Sequence, residues 1–356
     1  MNSMKPRVFV ALSGGVDSSV AAALLKKAGF NVVGVFLRCW QAGPKSECVG
    51  LADERMARLA SSVLKIPFLV FDFVKEYREK VLHYLIKEAG RGLTPNPDIL
   101  CNREIKFGVF FKKAVAKGAD FVATGHYVRL GRKNLKYCLL HGKDKQKDQS
   151  YFLTYIDPKV LPKVLFPVGN YKKDEVRQLA KKFGLPNAKR PSSRGLCFVG
   201  KVNFHDFLKR YLKEKPGPVV EQVRDGVNKI IIGRHPGLAF FTIGQRQGLG
   251  LAGGPYFVVG KDIKNNSLIV SRKEKDLYQK EFSVKKMNWF LPPSKFPLGL
   301  RVKIRYRQKS AKAVIFPPER GIFRVVFAKP QRAIAPGQFA VFYQGQGLLG
   351  GGVICA

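Results

Sequence analysis

The stretch Val10–Leu25, VALSGGVDSSVAAALL, sets two glycines, three serines and an aspartate between two apolar runs. The run before it, RVFVAL, reads as a short β-strand. The run after it, SSVAAALLKKAG, reads as a helix closed by Gly29. Gly14 and Gly15 allow backbone N–H groups to turn toward one point, and the helix start carries partial positive charge. Such a loop is suited to an anion, phosphate above all. It is not the lysine-bearing phosphate loop, because no Gly-Lys-Ser/Thr follows. Asp17 can hold a divalent cation or cap its own loop.

Outward from this stretch, strand-like and helix-like runs alternate. NVVGVFL, PFLVFDF and DFVATGHY read as strands; LADERMARLASSVLK and VKEYREKVLHYLIKEAG read as helices. That alternation, continuing to about Gly184, predicts an α/β domain with a doubly wound parallel sheet and ligands beyond the strands' C-terminal ends. After Gly200 one more helix, NFHDFLKRYLK, is followed from Pro216 by short strands punctuated by Gly and Pro. We expect three domains: 1–202, a small β-rich one at 203–280, and a β-barrel at 281–356. GLGLAG (Gly248–Gly253) fits the dinucleotide fingerprint, but it lies in the β-rich part with no helix after it and reads as a loop.

The charge balance bears on partners. Lys and Arg total 64 against 25 Asp and Glu, a formal net charge of +39. A solvated basic surface is one explanation; a polyanion, nucleic acid first, is the other. Residues 281–356 hold 13 Lys/Arg against two Glu. There RVKIRYR (Arg301–Arg307) alternates, which predicts Arg301, Lys303, Arg305 and Arg307 on one strand face turned to a polyanion. No apolar run is long enough to span a membrane and no leader is evident, so a cytoplasmic protein is expected. Six cysteines in 356 residues do not make a disulfide scaffold.

Two cysteines stand in informative surroundings. In TPNPDILCNREIKFG (Thr94–Gly108), Asn96 and Pro97 suit a helix N-cap and first helical position, and Asp98 and Cys101 share a face. A helix start, with Arg103 and Lys106 near, favours a thiolate at Cys101; a buried structural cysteine is the alternative. In RPSSRGLCFVG (Arg190–Gly200), Ser, Gly and Arg surround Cys197, as an accessible, activated thiol requires. Cys39, Cys48, Cys138 and Cys355 have no motif and read as structural.

The loop resembles the SGGxDS pyrophosphate loop of ATP pyrophosphatases that adenylate a substrate, matched at Ser13, Gly14, Gly15, Asp17 and Ser18. With TPNPDILCN, ATGHY (Ala123–Tyr127), KDQSYFL (Lys147–Leu153), GLCFVG, TIGQRQGLG (Thr242–Gly250), IRYRQ (Ile304–Gln308) and APGQFAVFY (Ala335–Tyr343), the chain resembles the tRNA-specific 2-thiouridylase family over nearly its whole length.

The resemblance implies an adenine nucleotide alpha hydrolase-like first domain, ATP with Mg²⁺, and replacement of O2 of the tRNA wobble uridine by sulfur. It implies nucleotide contacts at Ala11, Leu12, Ser13, Gly14, Gly15, Val16, Asp17, Ser18, Leu37 and Gly125; Leu37 stands where the family often has methionine. Cys197 would carry a persulfide delivered by a sulfur-relay protein, Cys101 would be its nucleophilic partner, and Asp98 is a candidate general acid/base. Asn96, Pro97 and Asp98 would meet the target base in the anticodon stem-loop. His126, Lys147, Asp148, Gln149, Arg305, Tyr306 and Gln338 would contact tRNA. Three alternatives stay open: another adenylating enzyme with this loop, an RNA-binding protein with a relict loop, and a less favoured iron–sulfur site on Cys101, Cys197 and a third ligand such as Asp98.

Overall fold

The computed structural model describes residues 5–40, 49–133, 136–191, 204–222 and 229–355. At its N-terminal end, β1 (Arg7–Ala11), β2 (Asn31–Arg38), β3 (Phe68–Asp72), β4 (Phe121–Ala123) and the two-residue strand Val164–Leu165 form one parallel sheet. Its order is β3-β2-β1-β4 and then Val164–Leu165. Alternation along β1 sends Val8 and Val10 to one face and Phe9 to the other. Helices cover both faces, as the doubly wound reading requires. Val8 and Val10 pack with Val20 of α1 (Val16–Lys27) and with Val176 and Ala180 of the helix Lys173–Lys182. Phe9 packs with Val81 and Leu85, and with Ile105 and Phe110.

Those last four side chains come from two long helices that each change winding midway. One runs through Val74–Tyr77, Arg78–Leu82 and His83–Gly90, with a π-helical middle. The other runs through Pro97–Cys101, Asn102–Val109 and Phe110–Ala116, again with a π-helical middle. Widened turns of this kind re-aim side chains on one helix and recur at functional sites.

The central part has a short helix, Phe204–Lys209, and a four-stranded sheet ordered Phe257–Asp262, Ser267–Ser271, Gly217–Gln222, Lys229–His235. Gly248, Gly250 and Gly253 all have positive φ in a stretch without helix, so GLGLAG is a loop. The C-terminal part is a barrel of Tyr278–Trp289, Phe323–Arg332, Ala311–Ile315, Leu298–Lys303, Phe339–Gln344 and Gly347–Cys355. It closes where the first of these strands pairs with the last. Closure removes the exposed edges such a sheet would otherwise present.

Two features depart from the sequence reading. The hairpin Val128–Lys133/Lys136–His141 follows β4 in the chain but joins the barrel sheet, with Leu140 opposite Gly347. And the alternating stretch Arg301–Arg307 is not one strand. The strand ends at Lys303 and the chain turns, so the four cations do not form a single solvated face. Arg301 binds the Ser310 hydroxyl and carbonyl, and Lys303 is paired with Asp148 at 3.3 Å. Arg305 donates to the carbonyls of Ile243 and Ala333. Arg307 is exposed.

The helix that starts at Pro97 sits where the three parts meet. Cys101 belongs to the core that the parallel sheet shares with central-domain residues such as Leu238 and Val258. Ile99 and Leu100 belong to the core that includes barrel residues Phe339 and Val341.

Candidate active site

The chain leaves β1 at Ala11, and Leu12 anchors it by donating its N–H to Val35 O at 2.8 Å. Gly14 then takes φ +74°, and a Cβ there would lie 2.4 Å from Asp53 O, so only glycine fits. The serines brace the turn. Ser18 Oγ accepts from Ser13 N–H at 3.2 Å and donates to Gly15 O at 3.1 Å; Ser19 Oγ also donates to Gly15 O. Gly15 caps α1 without a side chain of its own, leaving the first-turn N–H groups open toward a ligand. Val16 is buried behind the loop. Gly125, at the end of β4, lies so close that a Cβ would sit 2.6 Å from Ser18 N. Leu37 is 3% exposed among core side chains, so it is floor under this end of the sheet and not open surface.

Five side chains to which the sequence assigns no role hold this loop. Lys173 Nζ pairs with Asp17 Oδ1 at 2.5 Å, and the Tyr127 hydroxyl donates to the same oxygen at 2.7 Å. Burial, then the Asp17 carboxylate, pushes the Tyr127 phenol far above its usual range, so it stays a donor. Asn187 Nδ2 donates to Gly14 O and to Ser19 Oγ. Arg190 donates to Gly14 O and pairs with Asp53. The contacts from Tyr127, Lys173, Asn187 and Arg190 span 110 to 176 positions, so no local spacing could reveal them.

The cysteine helix is fixed from its start. Asn96 Oδ1 accepts Ile99 N–H at 3.3 Å, and Pro97 occupies the first helical position. From the barrel, Gln338 Nε2 donates to Thr94 O at 3.0 Å, and its Oε1 accepts from Asn96 Nδ2 at 3.4 Å. Thr94 N–H donates to Pro336 O, and Gly337, at φ +91°, leaves no room for a Cβ beside Thr94 N. Gln338 is thus a strut between the barrel and the TPNPD turn. Asp98 is half-buried. Cys101, where the sequence favoured a thiolate and kept a buried cysteine as the alternative, is 0% exposed within the apolar core. Its neighbours in that core are rings and aliphatic groups. Arg103, expected to add positive potential there, pairs with Glu104 and stacks over the Tyr155 ring. Cys197 and Cys48 lie outside the described residues. Cys39, Cys101 and Cys138 are buried, and Cys355 is partly exposed.

The residues expected to meet RNA fall into two groups. Lys147 is exposed and Gln149 half-buried; Gln149 Oε1 accepts the Tyr127 N–H at 2.9 Å. Tyr306 is half-buried and packs against Phe152 with the rings tilted by 41° and their centroids 4.3 Å apart. Asp148 and His126 point inward instead. Asp148 accepts from Gly142 N–H and the Ser150 hydroxyl and pairs with His141 and Lys303. Burial alone would raise its pKa; the bond to His141, the charge of Lys303 and the Gly142 N–H outweigh that and hold it at about 2. It organises the loop that carries Lys147. His126 is buried between Phe107 and Phe166 with Nδ1 on the Thr124 hydroxyl. Burial keeps its imidazole neutral, so it offers no cation to RNA.

Among the described residues, no three His, Cys, Asp or Glu side chains converge on a metal. Among them, too, no helix is long and apolar enough to cross a membrane.

A glycine–serine anion loop between the first strand and first helix of a parallel sheet, tied to a basic barrel, defines a nucleotide-using α/β enzyme of the pyrophosphate-loop class. The comparisons go further. The chain matches the family models described as tRNA methyl transferase HUP domain over residues 6–201, tRNA methyl transferase PRC-barrel domain over 205–272, and Aminomethyltransferase beta-barrel domain over 279–354. The tRNA-specific 2-thiouridylase MnmA of Halalkalibacterium halodurans is 44% identical over 354 residues, 98% of this chain and 94% of the relative. That of Chlamydia trachomatis serovar L2 is 42% identical over 357 residues, 99% of this chain and 98% of the relative. Among solved structures, a 4-thiouridine synthetase–RNA complex with bound ATP aligns at TM-score 0.38 and 20% identity, over 58% of this chain and 50% of that one. The chain belongs to the tRNA-specific 2-thiouridylase family.

Proposed function

We propose that this protein is an ATP-dependent tRNA-uridine 2-sulfurtransferase that converts the wobble uridine to 2-thiouridine. The observation that carries the reading is the position of the helix Pro97–Cys101. It brings Asp98 and Cys101 to the junction of the nucleotide domain, the central sheet and the barrel.

The chemistry follows from the substrate. The C2 carbonyl of uracil is a poor electrophile, and its oxygen leaves badly. Attack of O2 on the α-phosphorus of ATP forms the O2–P bond and releases pyrophosphate, which makes the oxygen part of an AMP leaving group. The loop Ser13–Ser18 and Gly125 hold the nucleotide against α1, whose N-terminus stabilises the phosphates. Asp17, Ser13 and Ser18 offer hard oxygen donors of the kind Mg²⁺ takes, and the ion there would screen phosphate charge.

Sulfur comes from a persulfide on Cys197, charged by a sulfur-relay protein. Its terminal sulfur attacks C2, the C2–O bond breaks, and AMP departs with the oxygen. Cys101 then attacks the Cys197 sulfur, freeing 2-thiouridine and leaving a Cys101–Cys197 disulfide for an external thiol to reduce. If Cys101 instead cleaves the persulfide first, sulfide is the attacking species and the same disulfide remains. Asp98 moves the proton at the base, and Asn96 and Pro97 line the base's position. Because Cys101 is fully buried, a path to it has to open as RNA binds. The base itself leaves the anticodon stack, which a single-stranded loop makes cheaper. Lys147, Gln149, Arg305 and Tyr306 face the RNA; Asp148, His126 and Gln338 hold those elements in place.

The test separates the two half-reactions. Cys101→Ser and Cys197→Ser each stop thiolation, while Cys197→Ser still releases pyrophosphate in the presence of tRNA and ATP. A Cys101→Ser protein with full thiolation would point to another adenylating enzyme and against this reading.

A further inference from the structure

Two hydrogen-bonded routes from the loop Asp144–Gln149 end on one atom, Asp17 Oδ1 in the nucleotide loop. The first runs through Asp144, which is half-buried. Its Oδ1 accepts the Gln146 N–H at 3.0 Å and the Lys147 N–H at 3.2 Å, which folds the turn that presents Lys147. Its Oδ2 accepts the backbone N–H of Lys173 at 3.0 Å, at the first residue of the helix Lys173–Lys182. A carboxylate suits a helix start, so this contact is favourable from both sides. The side chain of that same residue pairs with Asp17 Oδ1 at 2.5 Å. The second route runs through Gln149. It gives its N–H to the Tyr127 carbonyl at 3.1 Å and accepts the Tyr127 N–H on Oε1 at 2.9 Å. The Tyr127 hydroxyl then donates to Asp17 Oδ1 at 2.7 Å. Between the two routes, Asp148 anchors the loop to the barrel through Lys303. One carboxylate, that of Asp144, therefore ties a turn on the RNA side to a helix start on the nucleotide side.

We propose that Asp144 is a positioning residue for adenylation: it transmits the seating of RNA at Lys147 to Asp17, so that tRNA tightens the hold on ATP. This rests on the adenylation reading above. A phosphate that draws on Lys147 shifts the turn held by Oδ1. Through Oδ2 it also shifts the helix start whose side chain sets Asp17. Two sites joined by a contiguous bonded path can share binding free energy, and the sharing is reciprocal. A carboxylate that only closed its own turn would leave each site indifferent to the other's occupant.

Equilibrium binding of α,β-methylene-ATP with Mg²⁺ to the full-length protein, with and without saturating unmodified tRNA, reads the coupling. The carbon bridge between the α- and β-phosphorus stops pyrophosphate release. In the wild type, tRNA is expected to tighten the analogue by about 5- to 150-fold, the usual range for coupled sites, and the analogue tightens tRNA by the same factor. Asp144→Asn keeps one acceptor oxygen, which can hold the turn or the helix start and not both. That variant is expected to bind the analogue alone and tRNA alone within about threefold of wild type, while the coupling factor falls below about twofold. A wild type whose affinity for the analogue ignores tRNA overturns the proposal. So does an Asp144→Asn protein that keeps the wild-type factor, or one that no longer binds the analogue alone, since the carboxylate is then only a structural support. A wild type that binds no analogue, with or without tRNA, overturns the adenylation reading and the role of Asp144 with it.

Discussion

Replacing Gly125 with alanine probes the nucleotide site at its tightest point. The added Cβ would stand 2.6 Å from Ser18 N, 2.7 Å from the Asp17 carbonyl carbon and 2.9 Å from Ser18 Cα. All three are backbone atoms of the first turn of α1, so no side chain can swing aside. Ordinary contact requires a retreat of about 0.8 Å by β4 or the helix start, and overpacking of this kind costs about 1–3 kcal/mol. The larger consequence is functional. The atoms displaced belong to the N–H groups that receive phosphate, and a misplacement approaching 1 Å costs on the order of 100-fold in rate. We expect Gly125→Ala to fold, to bind tRNA as the parent does, and to lose pyrophosphate release by about 100-fold. Gly29→Ala is the control. That glycine has φ +89° with nothing within 4 Å, so it bears backbone strain of about 1–2 kcal/mol without touching the loop. Pyrophosphate release by Gly125→Ala at the parent rate would refute the packing argument and the place of Gly125 in the site.

Two further expectations follow from exposure and burial. Lys147 is exposed on a loop that Asp148 organises from below, so Lys147→Ala should flatten the salt dependence of tRNA binding by about one unit of slope and leave ATP binding unchanged; filter binding from low to moderate salt reads it. Lys261, whose Nζ donates to Gly92 O between the central and N-terminal parts, is lowered by burial from 10.5 to about 8. The folded state therefore releases this proton before the unfolded state does, so stability rises with pH from about 8 to 10.5; below that window the penalty of the buried charge is constant, and above it the penalty is gone. Denaturation of wild type and Lys261→Met across that window should move the difference toward wild type by about 3 kcal/mol.

The nucleotide domain was legible because its signals are local. A strand, a glycine–serine turn and a helix adjoin within Arg7–Lys27, and β-rich and helical runs alternate after it. The N-cap at Asn96 was legible for the same reason. What the chain hides is whatever depends on distant partners. The hairpin Val128–His141 reads as part of the first domain, yet its edge meets a strand near the C-terminus. The alternation of Arg301–Arg307 promised one basic face, but the turn after Lys303 gives each cation a different fate, and Asp148 claims Lys303 from across the fold. Cys101 stands at a helix start that favours a thiolate, while the core that the parallel sheet shares with the central domain buries it. The props of the loop, Asp53, Tyr127, Lys173, Asn187 and Arg190, find their partners at least 110 positions away, so even Tyr127 in ATGHY and Arg190 in RPSSRGLCFVG gave no sign of this role.

The central claim is that one chain both activates the wobble uridine with ATP and delivers sulfur to it. The most direct measurement incubates the purified protein with unmodified tRNA, ATP and a persulfide donor, without reductant, and analyses both products of a single turnover. The account predicts one 2-thiouridine at the wobble position, one AMP and one pyrophosphate, and a Cys101–Cys197 disulfide in the protein's peptide map. Pyrophosphate released without 2-thiouridine, or 2-thiouridine formed with both thiols still free, would contradict it.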